Sequence, residues 1–168
     1  MMSTAKAKSL GFAASIFLLA TSSHPGLAAL LAKGSCSPDT TKYIVSNLQS
    51  TTDSQSYVAV PETFISFTQG GTTASCVMVS FSGMAITFNA GNVMRVQPLL
   101  DAATPCQPQE SIFDVGVGAG NVADRAMNFV CHNVSPGAHT IRMQFRSNSG
   151  TGNSVSLWNR TTIIQHKK

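Results

Sequence analysis

Residues 139–146 constrain the fold more than any other stretch, because apolar and polar side chains alternate without a break from Thr140 to Arg146. Ile141, Met143 and Phe145 fall on one side; Thr140, Arg142, Gln144 and Arg146 fall on the other. Successive side chains of a strand point to opposite faces, so the spacing predicts a strand with one buried and one wet face. A helix would scatter the same residues around its circumference. The segment around Cys76 repeats the period with a difference. Val77, Val79 and Phe81 share one side, Cys76, Met78 and Ser80 the other, and both sides are fairly apolar. That pattern predicts a central strand whose second face is also covered, by a disulfide or by a neighbouring subunit.

Short runs rich in β-branched and aromatic residues recur at 42–48, 56–60, 63–68, 74–81, 84–88, 92–100, 112–117, 126–133 and 154–166. Gly, Pro, Asn, Asp and Ser separate them, and helical periodicity is almost absent. The expectation is an all-β chain, an antiparallel β-sandwich of jelly-roll-like type with about 8–10 strands. Pro136-Gly137 stands where a type II turn places those residues, just ahead of the strand at 139. Residues 147–153 are expected to form a flexible loop, and 101–110 is the clearest long loop, carrying Cys106.

The start of the chain follows other rules. Lys6 and Lys8 precede an apolar run over 10–20, then Pro25-Gly26 and a small-residue site, Gly26-Leu27-Ala28. This is the order of a cleavable signal peptide. The apolar run is about half of the roughly 20 residues that a membrane-spanning helix needs, which speaks against a stable membrane anchor. Lys33-Gly34-Ser35 precede Cys36, and a lysine stands where a lipoprotein signal has leucine. The expected division is 1–28 signal peptide, 29–41 N-terminal extension and 42–168 β-sandwich domain. The expected destination is secreted, periplasmic or cell-surface.

The leader also changes the charge argument. The formal net charge of +4 invites a nucleic-acid reading, but three of the eleven lysines and arginines, Lys6, Lys8 and Lys33, lie in or beside the leader. Eight remain against seven acidic residues, so no electrostatic footprint for a phosphate backbone survives.

All four cysteines, Cys36, Cys76, Cys106 and Cys131, follow the leader and are expected to form two disulfides in an oxidising compartment. Four cysteines allow three pairings. Cys76 and Cys131 fall mid-strand and Cys36 and Cys106 in loops, which favours Cys76 with Cys131 and Cys36 with Cys106. The wide spacings, with no C-x-x-C, speak against compact zinc or thioredoxin-type sites.

Residues 133–147, with Asn133-Val134-Ser135-Pro136-Gly137-Ala138-His139-Thr140-Ile141, and 156–166, with Arg160-Thr161-Thr162-Ile163-Ile164-Gln165-His166, resemble a recurring ending. It closes small exported bacterial β-sandwich proteins and jelly-roll-like C-terminal domains of surface and phage-tail-type proteins. The resemblance implies a fold and an extracytoplasmic setting, and it brings no catalytic residues.

Candidate chemistry is sparse. His132, His139 and His166 form no H-x-H or H-E-x-x-H motif, so strand-end hydrogen bonding is expected of them rather than metal binding. No G-x-S-x-G elbow exists. Residues 116–121 mimic a nucleotide loop with the wrong spacing and no β-α-β context, and read as a flexible loop. Asp101, Asp114 and Asp124 are the candidates for a calcium site, although no D-x-D-x-D run is present. Trp158 is the single tryptophan. If Val155 and Leu157 face the core, then Ser156, Trp158 and Arg160 point outward. Trp158, Asn159 and Arg160 then compose a candidate glycan-stacking site, against which stands Trp158 packed at a sheet or subunit interface. The resulting expectation is a non-enzymatic binding or surface-assembly module, without cofactor, metal or nucleic acid, which partners itself or an extracellular glycan or protein. A carbohydrate-binding module is the alternative, and a secreted hydrolase with an unrecognised site the second alternative.

Overall fold

The chain is one long hairpin rolled up on itself. The structure is a computed structural model that describes residues 34–118 and 120–168. The expected signal peptide, 1–28, lies outside the described residues. The first limb of the hairpin comprises β1 (Thr40–Ser46), β2 (Ser50–Thr52), β3 (Val58–Ala59), β4 (Ile65–Gln69), β5 (Ser75–Thr87) and β6 (Val93–Leu100). The second comprises β7 (Thr104–Pro105), β8 (Ser111–Val115), β9 (Asn121–Val134), β10 (Gly137–Ser147) and β11 (Val155–His166). Pairings are nested and antiparallel: β1 and β2 with β11, β3 and β4 with β10, β5 with β9, and β6 with β8. Rolling sets β11 beside β5 and β10 beside β6.

Two sheets result. The first runs β1-β11-β5-β9, with β2 also on β11; the second runs β3-β10-β6-β7, with β4 on β10 and β8 on β6. This is the expected antiparallel, jelly-roll-like sandwich. The alternation at 139–146 is realised on β10, where Ile141, Met143 and Phe145 are buried in the core. They meet Val77, Val79 and Phe81 of β5, Phe129 of β9 and Leu157 and Ile164 of β11. Burying each such side chain contributes about 1.5–3 kcal/mol.

The structure differs from the expected strands in three places. The runs 74–81 and 84–88 are one strand, β5, since Gly83 interrupts the pattern but not the ladder. Strands β2 and β7 hold three and two residues, too short to show a period. The loop expected over 147–153 is held by asparagines: Asn92 Nδ2 donates to Asn153 O at 2.7 Å and Asn89 Nδ2 to Gly152 O at 3.0 Å. Gly116, in the second expected loop, is also fixed. Its amide donates to Asn92 O at 2.9 Å, and a Cβ there would lie 2.1 Å from Asn89 O.

Two disulfides form, as expected, but with another pairing: Cys36 with Cys76 and Cys106 with Cys131. The register explains the correction. Cys131 lies opposite Val77 and faces the core with it, whereas Cys76 is one residue out of step and points the other way. Cys106 reaches Cys131 instead because Gln107 exchanges both backbone hydrogen bonds with Val130, at 2.8 and 2.9 Å. The bridges are those of a protein that folds in an oxidising environment.

The Cys106–Cys131 bridge closes a separation of 25 residues and anchors the hairpin's fold-back loop to β9. Replacing both cysteines with alanine is expected to cost about 3 kcal/mol, read as a lower guanidinium midpoint with a steeper slope, since the uncrosslinked chain unfolds to a more open state.

Candidate functional site

Trp158, Asn159 and Arg160 lie at an irregularity in β11. Pairing with β5 slips between Trp158 and Thr161, so that Asn159 and Arg160 together oppose Gly83. Asn159 takes a φ of 46°, a left-handed conformation that asparagine tolerates better than most residues. The extra residue is a β-bulge, and it turns the chain. Trp158 stays half-buried on the outer surface and Asn159 is exposed, but Arg160 is turned inward and is 1% exposed. A Cβ on residue 83 would lie 3.1 Å from Arg160 Cβ, so glycine gives the bulge its room. The expected outward parity is therefore corrected at Arg160. Ser156 is also fully covered, with its hydroxyl bonded to that of Thr51. The three residues do not converge on one surface.

Arg160 is engaged elsewhere. Nη1 donates to Leu48 O, and Nη2 donates to Pro61 O at 2.8 Å. Burial pulls its pKa below the ordinary arginine value, and the Glu62 carboxylate opposes that pull. It remains a cation in any accessible range. Its role is to join β11 to the β1–β2 and β3–β4 connections.

The outer face of the first sheet carries exposed apolar side chains that no described residue covers. The register places Tyr43, Ile163, Ser80 and Asn128 in one cross-strand row. Val45, Thr161, Ser82 and Ala126 form the next, Trp158, Met84 and Asp124 another, and Ser156, Ile86 and Val122 the last. Tyr43 is 70% exposed, Val45 66% and Val122 47%. Asp124 is the one charged side chain in these rows. The two-sided apolar pattern around Cys76 was the sequence signal for this face. Tyr43, Val45 and Ile163 escaped it because their place on the face depends on strand pairing.

His139 and Asp101 form the most developed polar cluster. His139 Nδ1 lies 2.7 Å from Asp101 Oδ2 and Nε2 lies 2.8 Å from Ser135 O. Thr140 N donates to Asp101 Oδ1 at 2.8 Å. Desolvation pushes the Asp101 carboxyl up, but the hydrogen bonds from His139 and Thr140 outweigh it and hold the pKa below the ordinary value. Both ring nitrogens of His139 face oxygens within the fold, Asp101 Oδ2 and Ser135 O.

His166 is buried against Phe67, ring centroids 5.0 Å apart, and His132 is exposed. The three aspartates are scattered: Asp101 on His139, Asp114 buried on Arg125 at 2.9 Å, Asp124 on the outer face. Among the described residues, no three His, Cys, Asp or Glu side chains converge as a metal-binding group. A recess of about 520 Å³ beside the Cys36–Cys76 bridge is lined by Ser35, Ser75, Gln107, His132 and Asn133, with no carboxylate among the described residues that line it.

No family model matches the chain, and no curated protein does. Solved structures with a similar course include infectious bursal disease virus, Gx strain (TM-score 0.45, 11% identity, 76% of this chain and 36% of that one). Another is the CBM36-1 domain of a multidomain xylanase from the hindgut metagenome of Trinervitermes trinervoides (TM-score 0.36, 13% identity, 74% and 96%). A third is a family GH115 4-O-methyl-alpha-glucuronidase (TM-score 0.36, 14% identity, 78% and 17%). The chain spans about a third of the viral chain's length. At these similarities they bear on no function.

Arg160→Met is expected to lower stability by about 2–3 kcal/mol, because the carbonyls of Leu48 and Pro61 lose their donors. Arg160→Lys should recover little, since one ammonium cannot fork to both. Asp101 has a depressed folded pKa, so its contribution is present above the unfolded value of about 3.9 and is lost as pH falls through the folded value. Asp101→Asn should therefore be less stable near neutrality and lose less stability than the parent on acidification below about pH 4.

Proposed function

We propose that this protein is a non-enzymatic, exported assembly module that associates with a second copy of itself through the outer face of the first sheet. The observation that carries the reading is the chemistry of that face: tyrosine, valine, isoleucine, methionine and tryptophan in cross-strand rows, with one carboxylate. Interfaces are depleted of charge at their centres and enriched in aromatic residues and methionine. Four strands at about 4.8 Å spacing and about eight residues of length give a patch of roughly 500 Å². Two such patches face to face bury about 1,000 Å², the threshold for a specific interface. A pleated face without a basic group in these rows is suited to its own copy, since it offers little to a strongly charged partner. The commitment of both His139 nitrogens supports a non-catalytic role, and the leader supports export.

Sedimentation velocity over a wide dilution range tests the reading. The parent is expected to shift from dimer or larger oligomer to monomer on dilution, with a red shift in Trp158 emission. Tyr43→Glu, a substitution at a position 70% exposed, should leave folding intact and give a monomer throughout. A parent that is monomeric at every concentration, or an oligomer indifferent to Tyr43→Glu, would refute it.

A further inference from the structure

The opposite face of the sandwich has contrasting chemistry. On β10 and β6 the cross-strand pairs that point away from the core are Arg142 with Leu99, Gln144 with Gln97 and Arg146 with Arg95. Their alternates, Phe145 with Val96 and Ile141 with Leu100, are core, which fixes the parity. Three of the chain's arginines thus share one face, although the described chain is close to neutral overall. Their compensation is thin. The one carboxylate against them belongs to Glu110, with Oε2 3.6 Å from Arg146 Nη2, and Arg95 Nη1 donates to the Glu110 carbonyl at 2.7 Å. Arg142 has no acidic partner among the described residues.

Three polar atoms on this face are buried without a hydrogen-bond partner: Arg95 Nε, Arg142 Nε and the Tyr57 hydroxyl. Arg146 lies over the Tyr57 ring, 5.3 Å from its centroid. Gln97 Nε2 donates to Gln144 Oε1 at 3.1 Å, which leaves the other oxygen and the other amide nitrogen of the pair for outside partners. Arg142, Gln144 and Arg146 follow one another along β10 at intervals of roughly 7 Å, the repeat of side chains on one side of a strand.

We infer that this face binds a carboxylate-bearing polysaccharide. Guanidinium forks match carboxylates in bidentate geometry. The glutamine pair supplies a donor and an acceptor for hydroxyl groups. A row of cation, amide and cation along a straight strand suits a polymer that presents acid and hydroxyl groups in alternation. The site lies on the second sheet, so it stays open when the first sheet's outer face is covered, and it stands without that association. Arg142 supplies an uncommitted charge, whereas Glu110 is a carboxylate already seated beside the site and competes with the ligand.

Affinity electrophoresis in native gels tests this, with polygalacturonate as probe and dextran as neutral control, using protein expressed from the full chain in an oxidising compartment. The parent should be retarded by polygalacturonate and not by dextran, and added salt should reduce the retardation. Arg142→Gln should weaken binding about tenfold, the scale of one lost charge-assisted contact. Glu110→Gln should strengthen it, a gain that misfolding cannot imitate. Unchanged binding in Arg142→Gln overturns the assignment, as does absence of retardation in both the parent and Glu110→Gln. Binding to dextran sulfate but not polygalacturonate overturns the carboxylate specificity. Binding to phosphatidylglycerol vesicles in place of polygalacturonate overturns the polysaccharide reading.

Discussion

The first limb of the roll is broken where the second is continuous, and two side chains carry the fold across the breaks. β10 and β11 are uninterrupted strands of 11 and 12 residues, but their partners come in pieces, β1 and β2 on one, β3 and β4 on the other. Each gap leaves backbone groups without ladder partners. Arg160 takes the carbonyls of Leu48 and Pro61, one from each gap. Thr63 does the corresponding work on β10: its hydroxyl donates to Val60 O at 2.7 Å and accepts from Met143 N at 3.1 Å. Buried backbone groups must be paired, and a sheet that interrupts its own ladder needs side chains to replace it. The bulge at Asn159 is what turns Arg160 inward to reach both gaps.

Much of the architecture was legible because period-2 patterns survive in long strands. The rows at 139–146 and around Cys76 marked two strands, β10 and β5, that each bring a run of side chains to the core. What escaped the pattern has a physical reason in each case. A two- or three-residue strand has no period to show. A one-residue bulge reverses parity beyond it, so Arg160, read as exposed, is buried, and Thr162, Ile164 and His166 follow it inward. The cysteine pairing depended on whether Cys76 and Cys131 face the same way, and that is a property of register. Strand register also assembles the candidate surfaces. Tyr43, Ile163 and Ser80 are far apart in the chain and adjacent on the sheet.

The molecule separates its chemistry by surface. Apolar side chains lie outside the first sheet, guanidinium and amide groups outside the second, and the histidines, disulfides and Asp101 gather near one end. The single buried carboxylate of the sandwich, Asp114, is 2% exposed and fully engaged, by Arg125 at 2.9 Å and by Thr87 Oγ1 at 2.7 Å. A buried charge is tolerated when it is paired and hydrogen-bonded, and this pair links β8 of one sheet to β9 of the other.

Arg125 has a further consequence through its position. The first sheet ends in β1 on one side and β9 on the other. On β9 the inward-pointing Arg125 holds Asp114; on β1, Lys42 has the inward parity and reaches across to Ser66 O at 2.7 Å. Each border strand thus carries a cation on its core side. Cations in such positions discourage a foreign strand from docking alongside, because docking would enclose them further from water. Both margins of the first sheet thus carry a feature that disfavours edge-to-edge pairing.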